Sequence, residues 1–297
     1  MCGIIGLFLK DARLEPQLGS LMSGMLGAMC DRGPDSAGFA IYGAEAAGKL
    51  KLTLRVPPNF DVEGLVSRLS SLAGKPLEYG SHDTHVVLTI PAEFEAAARL
   101  EIVKDPAVSL VGSGRRMEIF KEVGRPDHVA QRFGLGAMTG THGIGHTRMA
   151  TESAVTTNGA HPFTTGPDQC LVHNGSLSNH NAVRRELIRD GLTFETENDS
   201  EVAAGFMTWK MRGGASLEQA MNASLSALDG FYTFVIGTET GFGVIRDPIA
   251  CKPAVMAETE RWVAFGTEYR ALVDLPGIEI AKVWEPEPAK AYFWDRH

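Results

Sequence analysis

The 297-residue chain holds only four cysteines, Cys2, Cys30, Cys170 and Cys251, and no two of them form a CxxC pair. That scatter argues against a structural zinc or an iron–sulfur site in this chain. In a reducing compartment all four are expected to be free thiols. Cys30, Cys170 and Cys251 lie in apolar or glycine-rich surroundings and read as small core residues. Basic stretches are equally scarce. A net charge of −8 leaves no cationic face for a phosphate backbone, so no nucleic-acid partner is expected. The basic pair Arg184-Arg185 falls in a mixed-charge helix and reads as a solvated face. No segment approaches the ~20 apolar residues of a membrane span. The opening apolar stretch is short, lacks a basic flank and is followed by Lys10-Asp11, so no signal peptide is expected. Together these absences predict a cytoplasmic chain with no membrane partner. No nucleotide loop and no GxGxxG fingerprint is seen either.

What is present is a chain 44% hydrophobic and rich in glycine. That is ample for one large core or at most two domains. Residues 2–9 read as a buried strand. Residues 17–31 read as a helix with Leu18, Leu21, Met22, Met25, Leu26 and Met29 on one stripe. The turn DRGPDSAG and the strand FAIYG follow. From about 50 to 134 lies a less punctuated block that reads as an α+β insertion. It holds a helix capped by Asp61, a strand HVVLTI, a helix opened by Pro91 and a strand MEIFKEVG, with GRPDH at 124–128 as its exit. Beyond 135 come glycine-dense strands and three helices. Asn179 is a candidate cap of the first, with Gly191 after its end, and Asp199 or Ser200 of the second. Ser216 and Gln219 make a capping box for the third. Short strands close the chain. This order suits stacked sheets covered by helices better than an alternating βαβ chain.

Cys2 follows the initiator methionine directly. Removal of Met1 would place an α-amine, with a pKa of roughly 8, on the same residue as a thiol of roughly 8.5. One residue would then hold a nucleophile and its base. Four downstream stretches can complete such a site. DRGPDSAG supplies Arg32 and Asp35, GHTRMAT supplies His146, Arg148 and Thr151, HNGSLSN supplies Asn174 and Gly175, and ENDSEV supplies Asp199. An Asn amide and a Gly N–H are two donors suited to an oxyanion. Arg148 can grip a carboxylate through its planar fork, and Asp199 can accept an ammonium. An anion-binding and a cation-binding group around a nucleophile suit an α-amino acid with an electrophilic side chain. Each stretch alone has a plainer reading as a turn, a cap or a surface ion pair. His142 and His146 stand four apart like metal ligands, but no third ligand accompanies them, and no metal is expected.

The combination resembles the class II glutamine amidotransferases, of the N-terminal-nucleophile hydrolase type. It runs through MCGIIG at 1–6, DRGPDSAG at 31–38, GHTRMAT at 145–151, HNGSLSN at 173–179 and NDSEV at 198–202. Weaker echoes, IRDP, KPAV, FGTE and PEP, extend it toward the end of the chain. The resemblance implies a single α+β domain over 2–297, a four-layer αββα sandwich of two antiparallel sheets carrying the insertion. It implies Cys2 as nucleophile, Asn174 and Gly175 as oxyanion hole, and Arg148, Thr151 and Asp199 as the glutamine pocket. Arg32 and Asp35 would brace the site. Met149 and Glu152 depart from the residues frequent in the family. Both bear on closure over glutamine more than on thioester chemistry.

The format looks most like the amidotransferase subunit of glutamate-synthase-like complexes, in particular N-methylglutamate synthase. In that setting glutamine or glutamate is the small-molecule partner. Flavin and iron–sulfur cofactors belong to separate synthase subunits of a hetero-oligomer, with none in this chain. Two other readings compete. An amidohydrolase of the penicillin-acylase or bile-salt type would also begin at Cys2 but would not need Arg148 and Asp199. A non-catalytic assembly subunit would retain the motifs without using Cys2.

Overall fold

The computed structural model describes residues 2–150 and 154–296. Strand β1 (Gly3–Leu9) is buried at every residue. Alternate side chains of a strand point to opposite faces, so both faces of its sheet are covered. Ile5, Leu7 and Leu9 enter one apolar cluster with Met22, Met25 and Leu26. Ile4 and Phe8 enter another with Val172, Val235 and Phe242. Gly6 stands where the layers approach closely: a Cβ there would lie 2.5 Å from the Phe242 ring.

Seven strands form the first sheet, in the order β15 (Lys282–Trp284), β13 (Val255–Glu258), β14 (Trp262–Gly266), β1, β8 (His142–Arg148), β2 (Ser36–Tyr42) and β7 (Met117–Val123). Five form the second: β16 (Ala291–Asp295), β12 (Gly241–Arg246), β11 (Gly230–Gly237), β10 (Gln169–Leu177) and β9 (Phe163–Gly166). Adjacent strands in both are antiparallel. The outer face of the first sheet is covered by α1 (Leu18–Ala28) and α4 (Pro126–Arg132). The outer face of the second is covered by α5 (His180–Arg189), α6 (Asp199–Arg212) and α7 (Leu217–Ala227). The layers therefore run helix, sheet, sheet, helix, as expected of the αββα sandwich.

A third antiparallel sheet stands apart: β4 (Glu78–His82), β5 (His85–Pro91), β3 (Lys49–Arg55) and β6 (Ser109–Gly114). With α2 (Val62–Ala73) and α3 (Glu95–Ile102) it has its own core around Leu52, Leu54, Leu69 and Ile90. This unit spans 49–114, shorter than the 50–134 read from the sequence. β7 pairs with β2, and Phe120, Val129 and Phe133 pack beneath α1. The stretch at 124–128 therefore begins α4 of the sandwich and is not an exit. Local periodicity shows that MEIFKEV is a strand; it does not show which sheet takes it.

Several local expectations also change. The N-cap of α6 is Asn198, whose side chain accepts from the Ser200 N–H, in place of Asp199 or Ser200. Asn179 makes no cap bond; it donates to Ala227 O and accepts from Asp229 N. Pro91 ends β5, and α3 starts at Glu95. Cys30 and Cys170 are buried, but Cys251 is exposed. Arg184 is buried, not solvated. Its guanidinium donates to the carbonyls of Thr196 and Asn198 and lies over the Phe194 ring. That clamp holds the segment that leads into α6.

Candidate active site

Cys2 sits half-buried at the start of the central strand of the first sheet, one residue before β1, as a free thiol. Its carbonyl is held from two sides. Arg32 Nε donates to it at 3.1 Å and Asn174 Nδ2 at 3.3 Å. The first comes from the turn before β2 and the second from β10, so the thiol stands where the two sheets meet. Its Sγ faces the Met149 carbonyl at 3.9 Å.

Arg32 is fixed by an ion pair to Glu268, and this contact holds the Glu268 carboxyl below its ordinary value. Asn174 Nδ2 also donates to Thr267 Oγ1 at 3.3 Å. Thr267 accepts from the Ile4 N–H at 2.8 Å and so ties the start of β1 to the end of β14. Thr267 and Glu268 lie in FGTE, where sequence reasoning saw only an echo of the family. Their roles depend on contacts across more than 230 residues, which no local pattern displays.

Gly175 follows Asn174 on the exposed side of β10, at φ +150°. A Cβ there would meet Phe231 O at 2.0 Å. Only glycine fits this backbone. At the end of β8, Arg148 is buried, and its Nη1 donates to Ala154 O at 3.3 Å. Asp35 braces the same segment from the neighbouring turn. Its N–H donates to Arg148 O, and its Oδ2 accepts from Ala150 N at 2.8 Å. Thr151 and Glu152 lie outside the described residues.

Asp199 opens α6 and is joined to β10, where its Oδ2 accepts from Leu177 N at 2.9 Å. Its other oxygen accepts from Ser200 Oγ and lies 3.8 Å from His173 Nδ1. Ser200 Oγ stands 2.9 Å from both His161 Nε2 and His173 Nδ1. His161 stacks on His146 at 4.0 Å, and His146 Nε2 meets His173 O at 3.1 Å. Burial holds all three rings neutral. It lowers His146 to about 3 and His173 to about 4, and it puts His161 well below its ordinary value. Sequence reasoning offers His146 but misses its partners His161, His173 and Ser200, because the members come from four separate segments.

His142 and His146 do not act together. Four residues along a strand span roughly 13 Å, and each ring has its own partner. His142 stacks on Tyr42 and meets Thr238 O. No group of three or more metal-ligating side chains occurs among the described residues, and no described helix is long and apolar enough to cross a membrane.

A glutamine amidotransferase domain family matches residues 146–274, a span that includes Arg148, Asn174, Gly175 and Asp199 but not Cys2. The glutamine amidotransferase-like protein GlxB of Rhizobium meliloti is 61% identical over 302 residues, covering 99% of this chain and 98% of that one. A glutamine–fructose-6-phosphate aminotransferase of Bartonella henselae is 35% identical over 144 residues, 48% of this chain and 23% of that enzyme. Among solved structures, the glutamine phosphoribosylpyrophosphate amidotransferase of B. subtilis superposes with a TM-score of 0.63 at 20% identity. That match covers 99% of this chain and 47% of the other, and it shows the shared fold. With a relative this similar along nearly its whole length, the chain belongs to the class II glutamine amidotransferases.

Proposed function

We propose that this chain is a glutaminase whose nucleophile is Cys2, working as the amidotransferase subunit of a glutamate-synthase-like complex. The observation that carries the first part is the Cys2 carbonyl held between Arg32 and Asn174, with the thiol facing the 148–150 segment. In this reading Met1 is removed. The free α-amine takes the thiol proton while sulfur attacks the side-chain amide carbon of glutamine. Asn174 and the Gly175 N–H stabilise the oxyanion. The C–N bond then breaks, the amine returns the proton to the leaving nitrogen, and ammonia departs. Water, deprotonated by the same amine, hydrolyses the γ-glutamyl thioester to glutamate and restores the thiol. Arg148 and Asp199 hold the substrate carboxylate and ammonium, with Thr151 beside them.

The finer reading, the N-methylglutamate synthase type, rests on the motif resemblance. There the ammonia, or glutamate itself, feeds a synthase relative whose own subunits carry flavin and an iron–sulfur cluster. Co-purification with such a subunit and N-methylglutamate formation from methylamine test it.

For the glutaminase, Cys2→Ala is expected to lower glutamine hydrolysis on the order of 10³-fold while leaving the fold intact by circular dichroism. Intact mass should lack one methionine. Unchanged activity in Cys2→Ala, or a working protein that keeps Met1, overturns the nucleophile and favours an assembly role. Turnover of acyl amides in place of glutamine favours the acylase type.

A further inference from the structure

Ser200 faces three polar atoms and has one proton to give. Its Oγ lies 2.9 Å from His161 Nε2, 2.9 Å from His173 Nδ1 and 3.3 Å from Asp199 Oδ1. Ser200, His161 and His173 are all buried. A hydroxyl has one O–H and two lone pairs, and a neutral imidazole has one N–H. Burial keeps both rings neutral, so each has one N–H to donate.

An ionised carboxylate only accepts. If the Ser200 proton went to either ring, the serine lone pairs would face Asp199 Oδ1. That ring would also carry its own N–H on its far nitrogen, Nδ1 of His161 or Nε2 of His173. Neither of these atoms has a hydrogen-bond partner among the described residues. A buried N–H is rarely left in that condition. One order leaves no proton without an acceptor. His161 donates from Nε2 and His173 from Nδ1, both to the Ser200 oxygen, and the Ser200 O–H goes to Asp199 Oδ1. The unpartnered nitrogens then hold lone pairs only. His146 fits the same order. Its Nε2 meets His173 O at 3.1 Å, and a carbonyl only accepts, so that nitrogen carries the proton.

The rings are held where this order needs them. His161 stacks on His146 at 4.0 Å and meets the Phe163 ring edge-on at 4.9 Å. His173 meets the Phe234 ring edge-on at 5.0 Å. Asp199 Oδ2 accepts from Leu177 N at 2.9 Å. With Oδ1 bound to Ser200, both oxygens are tied and the carboxylate plane is fixed. Each oxygen keeps a lone pair for an incoming cation. The far end of the His173 ring reaches Gly175, where a Cβ would lie 2.7 Å from Nε2. One ring thus backs Gly175 directly and Asp199 through Ser200.

We propose that His161, His173 and Ser200 are positioning residues: two imidazole N–H groups commit the Ser200 hydroxyl to Asp199 and so set its carboxylate for a substrate α-ammonium. The proton order stands on the geometry; the α-ammonium rests on the glutaminase reading.

Nitrogen NMR of the full chain with labelled histidine reads the tautomers. His173 is expected as the Nδ1–H form and His161 as the Nε2–H form; a proton on the other nitrogen of either ring overturns the proposal. In kinetics, Ser200→Ala should raise the glutamine KM about tenfold and leave kcat within about threefold. As inhibitors of glutamine turnover, L-glutamate should weaken about tenfold in this variant, and glutarate, the same diacid without the ammonium, by less than about twofold. His173→Asn, whose amide nitrogen can stand near Nδ1, should keep a lower KM than His173→Gln, whose nitrogen stands near Nε2. Equal weakening of L-glutamate and glutarate, a loss in kcat with KM unmoved, or the reverse order of the two His173 variants reduces the cluster to packing and overturns the proposal. An unaltered chain that shows the expected tautomers yet does not hydrolyse glutamine overturns the glutaminase reading alone.

Discussion

At the scale of single residues, the site depends on backbone groups as much as on side chains. Cys2 is held by its carbonyl, and Asp35 holds Ala150 by its N–H. Removing Asp35 should therefore loosen the turn that carries Arg148 without touching the thiol. Steady-state kinetics of Asp35→Ala should show the glutamine KM rising more than kcat falls, by about tenfold in kcat/KM. Gly175→Ala is a harsher change, because its new Cβ would lie 2.0 Å from Phe231 O at a φ of +150°. It should cost about 2 kcal/mol or more by urea unfolding and most of the activity. The residues named from the sequence were those whose chemistry is visible without partners: a thiol at position 2, an Arg, an Asn-Gly, an Asp. Thr267, Glu268 and Ser200 are ordinary hydroxyls and a carboxylate. Their part at the site comes from their neighbours.

At the scale of elements, capping is local and is readable at α2 and α7 but not at α5 and α6, and only some caps matter to the site. Ser216 and Gln219 form the expected reciprocal box at α7. Asn198 caps α6 and sets Asp199 at its first turn. Ser216→Ala and Asn198→Ala should each cost about 1 kcal/mol by chemical denaturation. Only Asn198→Ala should raise the glutamine KM, since α7 begins on an exposed turn. An equal effect of both on KM would separate Asp199 from the substrate. The methionine-rich stripe of α1 packs as core, as its spacing required. Strand β4, with the polar and exposed sequence EYGSH, carries little apolar signal and was not foreseen. GRPDH at 124–128, which reads from the sequence as the exit of the insertion, opens α4. Pro126 in fact occupies the first turn, where its missing N–H costs nothing.

At the scale of the whole molecule, imidazoles are buried both in the sandwich and in the third-sheet unit. His85, His142, His146, His161 and His173 are all buried, and burial depresses each below the ordinary 6.5. His85 and His142 are lowered to about 3. The unfolded chain therefore takes up protons that the folded chain refuses. Stability from these rings is fully present above about pH 6.5 and is lost as pH falls from there toward their folded values. Each contributes a slope of up to about 1.4 kcal/mol per pH unit in that window. The urea midpoint should thus fall steeply between about pH 6.5 and about pH 5. A flat midpoint there would mean that the rings are charged in the folded state.

The sequence by itself determined the local pieces: the apolar strand behind Cys2, the helical stripes, the capping box and the order of five short motifs. These depend on residue type and spacing over a few positions, which a chain carries wherever it folds. Tertiary structure alone decided which sheet took β7, that Arg184 is buried, how far the separate sheet extends and which groups surround Cys2. Those outcomes come from pairing and packing between segments far apart in sequence. Arg32 and Asn174 meet the Cys2 carbonyl only because two sheets stack face to face, and that contact is made by the fold as a whole.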